Sequence, residues 1–368
     1  MKALIVTGEA SGDLYGGRLA ESLRRRLPTL QLAGMGGSHM EQAGVELLYH
    51  YGHVAVVGIF EVLGKLQHLR AAYRNIRQWV TREKPAFAVL IDFPDFNFRV
   101  ARFLKSQGIK TFYFISPQVW AWRKGRVRFL RDHVDLMISI LPFEKSLYEK
   151  AGVPVEYVGH PLVEIVRSDV AQQPELPCGN VPRLGLMPGS REVEVRRHLP
   201  VLLDALKDLQ RQLSIEPLLM WPPSLPLPAG VIPPEVRVIS ENRYAAMKSC
   251  DLLLVASGTS TLECAILGAP LLIVYKVTAV SWWLGKILVR IPYYGLVNWV
   301  AGRKIVPEFI QDRMSPSILA REALAYLKDS SLRKRMKEDL AAMVETLGPP
   351  GAIERAVDTI LSRVNAAD

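Results

Sequence analysis

The sequence has 368 residues, of which 49% are hydrophobic and 22% charged, so it excludes a disordered chain and indicates two globular domains. Lys and Arg outnumber Asp and Glu by 46 to 36. The net charge of +10 indicates an anionic partner, and nucleic acid, anionic lipid and a phosphorylated substrate all fit. The three cysteines, Cys178, Cys250 and Cys264, suit neither a disulfide framework nor a metal site. We therefore expect the protein to reside in a reducing cytoplasm. No apolar run resembles a signal peptide or reaches the ~18 residues of a membrane span.

Short apolar runs alternate with helical patterns through the first half of the chain. The predicted strands are Ala3–Thr7, Leu30–Gly34, Phe87–Asp92, Lys110–Ile115, Leu136–Ile140 and Val155–Val158. The predicted helices are Asp13–Leu27, Glu61–Arg82 and Phe96–Gln107. Continuous apolar strands that alternate with helices are typical of a parallel, doubly wound sheet. We therefore predict an N-terminal Rossmann-like domain over residues 1–165.

The alternation lapses and then restarts. Residues 166–182 contain Gln172–Pro177, which cannot form a helix interior, so we predict a linker there. The predicted strands that follow are Arg183–Met187, Glu216–Met220, Leu252–Ala256 and Pro270–Tyr275, and the predicted helices begin at Glu192 and Thr261. Residues 183–345 form a second Rossmann-like domain, with a Pro-rich surface loop at 221–234. Residues 346–368 form a C-terminal helix that can pack on either domain or on a neighbouring chain.

The predicted fold class is α/β, with two Rossmann-like domains facing across a cleft. Ligands of such sheets bind at the carboxyl ends of the strands, so polar residues that follow a strand are the candidate site. Gly8–Asp13 follows the first strand, and its glycines allow a tight turn before a helix N-terminus. Glu9 is placed to face the cleft, and Ser11 lies beside it. Asp13 is equally compatible with a helix N-cap.

A second motif, Asp92–Asn97, follows an apolar strand and contains two acids and an amide. A carboxylate at this position can act as general base on a sugar hydroxyl. Asp92, at the strand end, is the better candidate, whereas Asp95 also fits a helix cap after Pro94. Asn97 is a candidate residue for binding the acceptor substrate.

A third motif, Ser116–Arg123, follows another predicted strand. Trp120 and Arg123 can stack on a sugar or bind a phosphate, although large aromatic residues are more often core.

Two further motifs join strands to helix N-termini in the second domain. The amides of Gly189, Ser190 and Arg191, with the Arg191 guanidinium, can bind a diphosphate and stabilise a departing nucleoside diphosphate. The segment Ser257, Gly258 and Thr259 leads to Glu263 one turn later, where a carboxylate can accept both ribose hydroxyls. A helix-capping role for Thr259 is compatible with binding.

The sequence contains no His/Cys cluster at metal-ligand spacing and no Asp-x-Asp pair. We therefore predict no metal and no cofactor, and we interpret each histidine, His160 included, as structural.

Together these motifs resemble the lipid A disaccharide synthase family, the glycosyltransferases of bacterial lipid A assembly. The resembling segments run in order through most of the chain: Gly8–Asp13, Val57–Ile59, Glu61–Gly64, Asp92–Asn97, Ser116–Arg123, Leu141–Glu144, Gly159–Pro161, Pro188–Arg191, Ser257–Glu263, Asn298 and Ala301–Arg303. The Pro-rich loop and the extreme C-terminus lie outside the resemblance.

The resemblance implies a metal-independent enzyme of the GT-B fold, which uses two Rossmann-like domains. It implies inverting transfer from UDP-2,3-diacylglucosamine to 2,3-diacylglucosamine 1-phosphate (lipid X), giving the β-1,6-linked disaccharide 1-phosphate and UDP. It also implies that Glu9, Asp92 and Arg191 are important to activity, and that Gly189–Arg191, Ser257–Thr259, Glu263 and Asn298 bind UDP.

Acyl chains require a membrane-facing surface, and two aromatic and basic segments, Val54–Leu69 and Val280–Val300, fit one as well as they fit core helices. We expect a cytoplasmic enzyme bound peripherally to the anionic cytoplasmic face of the inner membrane. A homo-oligomer is left open.

Two alternatives stay open at this point. One is another enzyme of this fold, either a transferase with a different lipid acceptor or a UDP-sugar epimerase. The other is a non-catalytic nucleic-acid or membrane-binding module. Because Lys and Arg are spread along the chain without an RNA-binding signature, we expect no nucleic-acid partner.

Overall fold

Strands and helices alternate through both halves of the chain, which confirms the predicted α/β class with two Rossmann-like sheets. The structure is a computed structural model that describes residues 1–53, 61–117, 124–177, 179–222, 225–228, 230–278, 282 and 292–365. The chain divides into two compact units. Unit 1 comprises residues 1–161 and 348–368, and unit 2 comprises residues 162–347.

Unit 1 contains a sheet of seven parallel strands in the order β3-β2-β1-β4-β5-β6-β7. Its elements in chain order are β1 Lys2–Val6, α1 Ala10–Arg26, β2 Gln31–Gly36, α2 Ser38–Gln42, β3 Glu46–His50, α3 Glu61–Glu83, β4 Phe87–Ile91, α4 Pro94–Ser106, β5 Lys110–Phe114, α5 Lys124–His133, β6 Leu136–Ser139, α6 Pro142–Lys150 and β7 Val155–Tyr157. The central strands β1 and β4 are buried on both faces, which explains their continuous apolar sequences.

The direction of winding in unit 1 reverses between β1 and β4. These two strands pair in parallel, with Val6 opposite Leu90. Such a switch point opens a crevice beyond the carboxyl ends of the two strands, and ligands of open α/β sheets bind there. The turns that carry Glu9 and Asp92 follow these strands directly.

Unit 2 contains six parallel strands in the order β10-β9-β8-β11-β12-β13, with its switch point between β8 and β11. Its elements are α7 Leu162–Gln172, β8 Arg183–Met187, α8 Glu192–Gln210, β9 Glu216–Met220, β10 Arg237–Ile239, α9 Arg243–Lys248, β11 Leu252–Ala256, α10 Ser260–Ile266, β12 Leu271–Tyr275, α11 Leu296–Ala301, β13 Glu308–Ile310, α12 Pro316–Lys328 and α13 Ser330–Glu345. The Gly189 and Ser257 turns follow the two strands at that switch point.

The segment predicted as a linker, residues 166–182, is partly helical, so that prediction is wrong for its first residues. Helix α7 begins at Leu162 and buries one apolar face within unit 2. It ends at Gln172 because Pro174 follows and cannot continue a helix. The Gln173 side chain then accepts a hydrogen bond from the Ala245 backbone N–H at 2.9 Å, which ties the end of α7 to α9.

The last helix, α14 (Ala352–Asn365), belongs to unit 1 and packs on α1. Arg25 pairs with Glu354 at 2.6 Å, and Arg26 pairs with Asp358 at 3.0 Å. The chain returns to unit 1 after Leu347.

Candidate functional site

The turn between β1 and α1 places Glu9 immediately before the helix, half-buried, with Ser11 in the first helical turn. Gly8 accounts for the closeness of the neighbouring turn, because a Cβ built on it would lie 2.4 Å from the Phe93 ring. The structure therefore brings the Glu9 and Asp92 turns of unit 1 together, since Phe93 follows Asp92 directly.

Asp13 has a structural role, although it does not cap its own helix. It is fully buried, and its carboxylate accepts hydrogen bonds from the backbone N–H groups of Gly37 at 2.7 Å, His39 at 3.0 Å and Met40 at 3.2 Å. A carboxylate that accepts three amides at the start of α2 fixes that short helix against α1. The helix that Asp13 caps is remote in sequence.

The turn between β4 and α4 is strained. Asp92 and Phe93 are consecutive non-glycine residues in the left-handed region, with φ of 44° and 49°. Such conformations persist only where the surroundings enforce them, and they are enriched at functional sites. The Asp92 backbone carbonyl accepts hydrogen bonds from Asn97 Nδ2 at 2.8 Å and from the Tyr113 hydroxyl at 2.6 Å. These two buried donors fix the backbone of the turn at Asp92.

Asn97 therefore differs from its predicted role as an acceptor-binding residue. Its side chain is fully buried, and Nδ2 also lies 3.2 Å from the Ile91 carbonyl and 3.4 Å from the Val6 carbonyl. The amide faces the backbone of both switch-point strands and has no exposed surface with which to meet a substrate. Burial and the Asp92 charge raise the pKa of Tyr113, so its hydroxyl stays protonated as a donor.

The two candidate bases of this turn have different environments. Asp92 is half-buried at the strand end, whereas the Asp95 side chain is 87% exposed and pairs with Arg126 at 2.5 Å. Asp95 and Arg126 border a shallow groove of about 570 Å³ with Phe98, Gly125 and Phe129. Trp120 and Arg123 lie outside the described residues.

The turn after β8 carries the predicted diphosphate-binding residues, and its amides already have an anionic partner. Glu194 Oε2 accepts hydrogen bonds from the backbone N–H of Ser190 at 3.1 Å and of Arg191 at 3.3 Å. Gly189 has φ of 124°, and a Cβ there would lie 2.6 Å from the same carboxylate oxygen. The Arg191 side chain, 60% exposed, lies 3.7 Å from the other Glu194 oxygen. A carboxylate thus occupies the start of α8.

His198 supports this turn from the interior of unit 2. Burial lowers the pKa of His198, so the ring is neutral. Its Nε2 accepts from the Lys276 backbone N–H at 3.0 Å, so Nδ1 carries the proton and donates to the Pro188 carbonyl at 2.7 Å. The ring links the ends of β8 and β12, which is a structural role as predicted for the histidines.

The turn after β11 leads to a buried acid. The Ser257 hydroxyl donates to the Tyr294 carbonyl at 2.7 Å, and Thr261 Oγ1 donates to the Gly258 carbonyl at 2.8 Å. Thr259 precedes α10 and makes no side-chain cap. One turn on, Glu263 Oε1 accepts from Arg243 at 2.7 Å. The Ser257–Thr259 turn thus follows β11, and Glu263 lies in the first turn of α10.

Asn298, predicted to bind UDP, is instead fully committed to its own segment. It is fully buried, and its Nδ2 donates to the Val306 carbonyl and to Glu308 Oε1, both at 2.8 Å. Its Oδ1 accepts from the backbone N–H groups of Ile305 at 2.8 Å and Val306 at 2.9 Å. Both donors and both acceptor positions are used, so this prediction is corrected to a structural role.

The residues that sequence reasoning missed are Glu194, Arg243, Tyr244 and Glu308. Glu194 had a usable signal, because an acid three residues after the N-cap can accept the N-cap backbone N–H, as in one half of a capping box. The others act through tertiary contacts, such as Glu308 Oε1 accepting the Gly295 backbone N–H at 2.9 Å, and no local pattern reports those.

Among the described residues there is no group of three or more His, Cys, Asp or Glu side chains arranged to hold a metal ion. Within the same residues, no helix is both long and apolar enough to cross a bilayer. The candidate membrane segments Val54–Leu69 and Val280–Val300 are described only in part, because residues 54–60, 280–281 and 283–291 lie outside the part of the chain that the structure describes.

Two parallel Rossmann-like sheets with polar turns at their switch points define a protein of the GT-B fold, and solved structures support this class. A UDP-N-acetylglucosamine 2-epimerase described as putative, from Listeria monocytogenes, aligns with a TM-score of 0.67 at 13% identity, covering 100% of this chain and 97% of its own. A calicheamicin glycosyltransferase aligns with a TM-score of 0.64 at 15% identity, covering 99% of this chain and 98% of its own. At these identities the likeness concerns the fold alone.

Sequence comparison identifies the family. The family model described as lipid-A-disaccharide synthetase matches residues 3–356. The lipid-A-disaccharide synthase of Syntrophus aciditrophicus is 42% identical over 99% of this chain and 98% of its own length. That of Geobacter sulfurreducens is 40% identical over 98% of this chain and 96% of its own length. The chain therefore belongs to the lipid-A-disaccharide synthase family and is a glycosyltransferase.

Proposed function

We propose that the chain transfers 2,3-diacylglucosamine from UDP to lipid X, giving the β-1,6-linked disaccharide 1-phosphate and UDP. Family membership over nearly the whole chain is the observation that carries this proposal. The polar turns at the two switch points supply the chemistry that the reaction needs: carboxylates in unit 1, and amides with an arginine in unit 2.

The proposed reaction is a single displacement with inversion. The Asp92 carboxylate takes the proton of the acceptor hydroxyl, and the oxygen forms a bond to the anomeric carbon of the donor. The bond from that carbon to the diphosphate breaks, and its electron pair passes to the UDP oxygen. Arg191 and the amides of the Gly189–Arg191 turn stabilise the charge that develops there. Glu9 lies beside the Asp92 turn and orients the acceptor.

The donor nucleotide binds at the two turns of unit 2 in this proposal. The diphosphate interacts with Gly189, Ser190 and Arg191, and the ribose with Glu263 beside the Ser257–Thr259 turn. Asn298 supports this site through the segment that also contains Tyr294, whose carbonyl accepts the Ser257 hydroxyl. Asn298 itself makes no contact with UDP.

We further propose that the enzyme works at the cytoplasmic, anionic face of the inner membrane. The described basic residues that support this lie on the packed helices α4 and α5 of unit 1 and are exposed: Arg99, Arg102, Lys105, Arg128 and Arg131. Anionic headgroups attract such a cluster, and salt screens the attraction. Vesicles of phosphatidylglycerol should bind the protein at low salt and release it at high salt, while phosphatidylcholine vesicles should not bind it.

The test of the reaction is UDP release from UDP-2,3-diacylglucosamine, with and without lipid X, in mild detergent and EDTA. The proposal predicts UDP release that depends on lipid X and a disaccharide product. Release that is indifferent to lipid X would instead favour an epimerase or a hydrolytic activity. Activity that disappears in EDTA and returns with a divalent cation would contradict the metal-independent mechanism.

A further inference from the structure

Glu263 presents two unequal carboxylate oxygens. The residue is 5% exposed, and Oε1 accepts hydrogen bonds from Arg243 Nη2 at 2.7 Å and from the Tyr244 hydroxyl at 3.0 Å. Oε2 is also buried, but it accepts no hydrogen bond from any residue that the structure describes. Buried polar atoms are nearly always hydrogen-bonded, so this oxygen can accept a donor that a ligand or a bound water supplies.

Arg243 and Tyr244 determine which oxygen remains available. The Arg243 guanidinium carbon lies 5.0 Å from the centroid of the Tyr244 ring, so the two side chains support each other. Burial raises the pKa of Tyr244, so its hydroxyl remains a donor to Glu263. With both donors on Oε1, the carboxylate cannot rotate without losing two hydrogen bonds.

The backbone around these donors is also fixed. Helix α9 begins after Asn242, a non-glycine residue with φ of 49°, and the Ala245 N–H in its first turn donates to Gln173. The backbone conformation of Asn242 and the hydrogen bond from Ala245 together fix the positions of Arg243 and Tyr244 after β10. The Arg243 side chain remains 39% exposed, so a bound ligand can reach its surface.

We propose that Arg243 and Tyr244 are positioning residues for the donor nucleotide, which hold Glu263 so that Oε2 accepts a ribose hydroxyl. The inference rests on the proposed use of Glu263 as the ribose acceptor. It adds the reason why that carboxylate discriminates between nucleotides: a ribose hydroxyl supplies a donor that Oε2 does not receive from any described residue. A purely structural ion pair between α9 and α10 would change stability without changing that discrimination.

The test compares the affinities of the full chain for UDP and for its 2′-deoxy and 3′-deoxy analogues by calorimetry. Because a site built to hydrogen-bond a hydroxyl strongly rejects a ligand that lacks it, we expect the wild-type protein to bind one of the two analogues at least about tenfold more weakly than UDP. In Arg243→Met and Tyr244→Phe, we expect this preference to fall to about threefold or less, because Glu263 is no longer held. In turnover assays, the KM for the donor should rise more than kcat falls.

Two further variants control the experiment. Arg243→Lys keeps the charge but loses the planar fork, so it should lose part of the preference while folding normally. Arg237→Met removes an exposed arginine from β10 and should keep the full preference.

Three results would overturn the inference. In the first, Arg243→Met and Tyr244→Phe lower the affinities for UDP and both analogues equally. In the second, the wild-type protein binds UDP and the analogues equally well. This result contradicts the inference but not the proposed transfer reaction. In the third, the wild-type protein binds no UDP, which contradicts the proposed function as well.

Discussion

The turn after β4 in unit 1 and the turn after β8 in unit 2 each follow a strand at the switch point of a sheet, yet they are held in opposite ways. In unit 1, buried donors from Asn97 and Tyr113 bind the Asp92 carbonyl, and the backbone is strained. In unit 2, a glycine adopts the positive φ without strain, and an acceptor, Glu194, binds the backbone amides.

The difference shows how one architecture can present opposite chemistry. Where buried donors satisfy the carbonyl groups, the turn can hold a carboxylate at the strand end, as Asp92 does. Where the amides point outward, the turn attracts an anion, and Glu194 is that anion in this structure. A diphosphate at Gly189–Arg191 would therefore compete with Glu194 for the same donors.

The largest expected effect concerns Arg191, the cationic side chain of the Gly189–Arg191 turn. We expect Arg191→Ala to lower turnover by about 10²- to 10³-fold, because the positive charge proposed to stabilise the leaving group is lost. Its side chain is exposed and its ion pair is long, so the free energy of unfolding should change by less than about 1 kcal/mol. Steady-state assays and thermal melts measure the two effects.

The matched control is Arg196→Ala, an exposed arginine on the same helix that pairs with Glu192 at 2.6 Å. Turnover in this variant should be close to that of the wild-type protein. An Arg191→Ala protein that loses activity only in proportion to its stability would assign Arg191 a structural role.

The next prediction concerns the donor that holds the strained turn of unit 1. Asn97→Ala should lower the free energy of unfolding by about 1–3 kcal/mol, because buried carbonyl groups lose their partner beneath two left-handed residues. Asn75→Ala, which removes one hydrogen bond to the Leu48 carbonyl at 3.0 Å, should cost less. Equal losses in denaturant titrations would show that the turn does not depend on Asn97.

A smaller effect tests whether Glu194 and a diphosphate compete for the backbone amides of the Gly189–Arg191 turn. Glu194→Gln keeps an oxygen that can accept from the amides but removes the charge beside the proposed diphosphate site. UDP should bind about three- to tenfold more tightly, since removing one nearby like charge is worth on the order of 1 kcal/mol. Calorimetry with UDP measures this change. Weaker binding would mean that Glu194 supports the turn in the bound state as well.

The smallest effect is expected at Asp95, the exposed acid of unit 1. Asp95→Asn should change stability by less than about 1 kcal/mol and turnover by about threefold at most, because its pair with Arg126 is at the surface. A loss of about 10²-fold or more would transfer the role of general base from Asp92 to Asp95.

Sequence reasoning located the buried strands and the edge strand β7, predicted at Val155–Val158, but missed the other three edge strands. Arg183–Met187, Glu216–Met220 and Leu252–Ala256 were predicted to the residue, because a strand buried on both faces is a continuous apolar run. The edge strands β3, β10 and β13 are short and include polar residues, so they lack that signal.

The candidate site shows a different limit. A motif indicates which polar residues follow a strand but not whether they face the substrate or the backbone. Asn97 and Asn298 both face the backbone, and their partners follow from tertiary packing. Asp13 likewise binds amides more than twenty positions away. Glu9, Asp92 and Arg191 remain predictions from sequence that the structure places at strand ends.

The proposed mechanism assigns activation of the acceptor to unit 1 and binding of UDP to unit 2. It is tested most directly by measuring both turnover and UDP affinity in the Asp92→Asn variant. The account predicts a turnover loss of about 10²- to 10⁴-fold with UDP affinity unchanged, because Asp92 serves the acceptor and UDP binds to unit 2. Turnover within a few-fold of wild type would contradict the assignment of Asp92 as the base. A comparable loss of UDP affinity would contradict the separation of roles between the units.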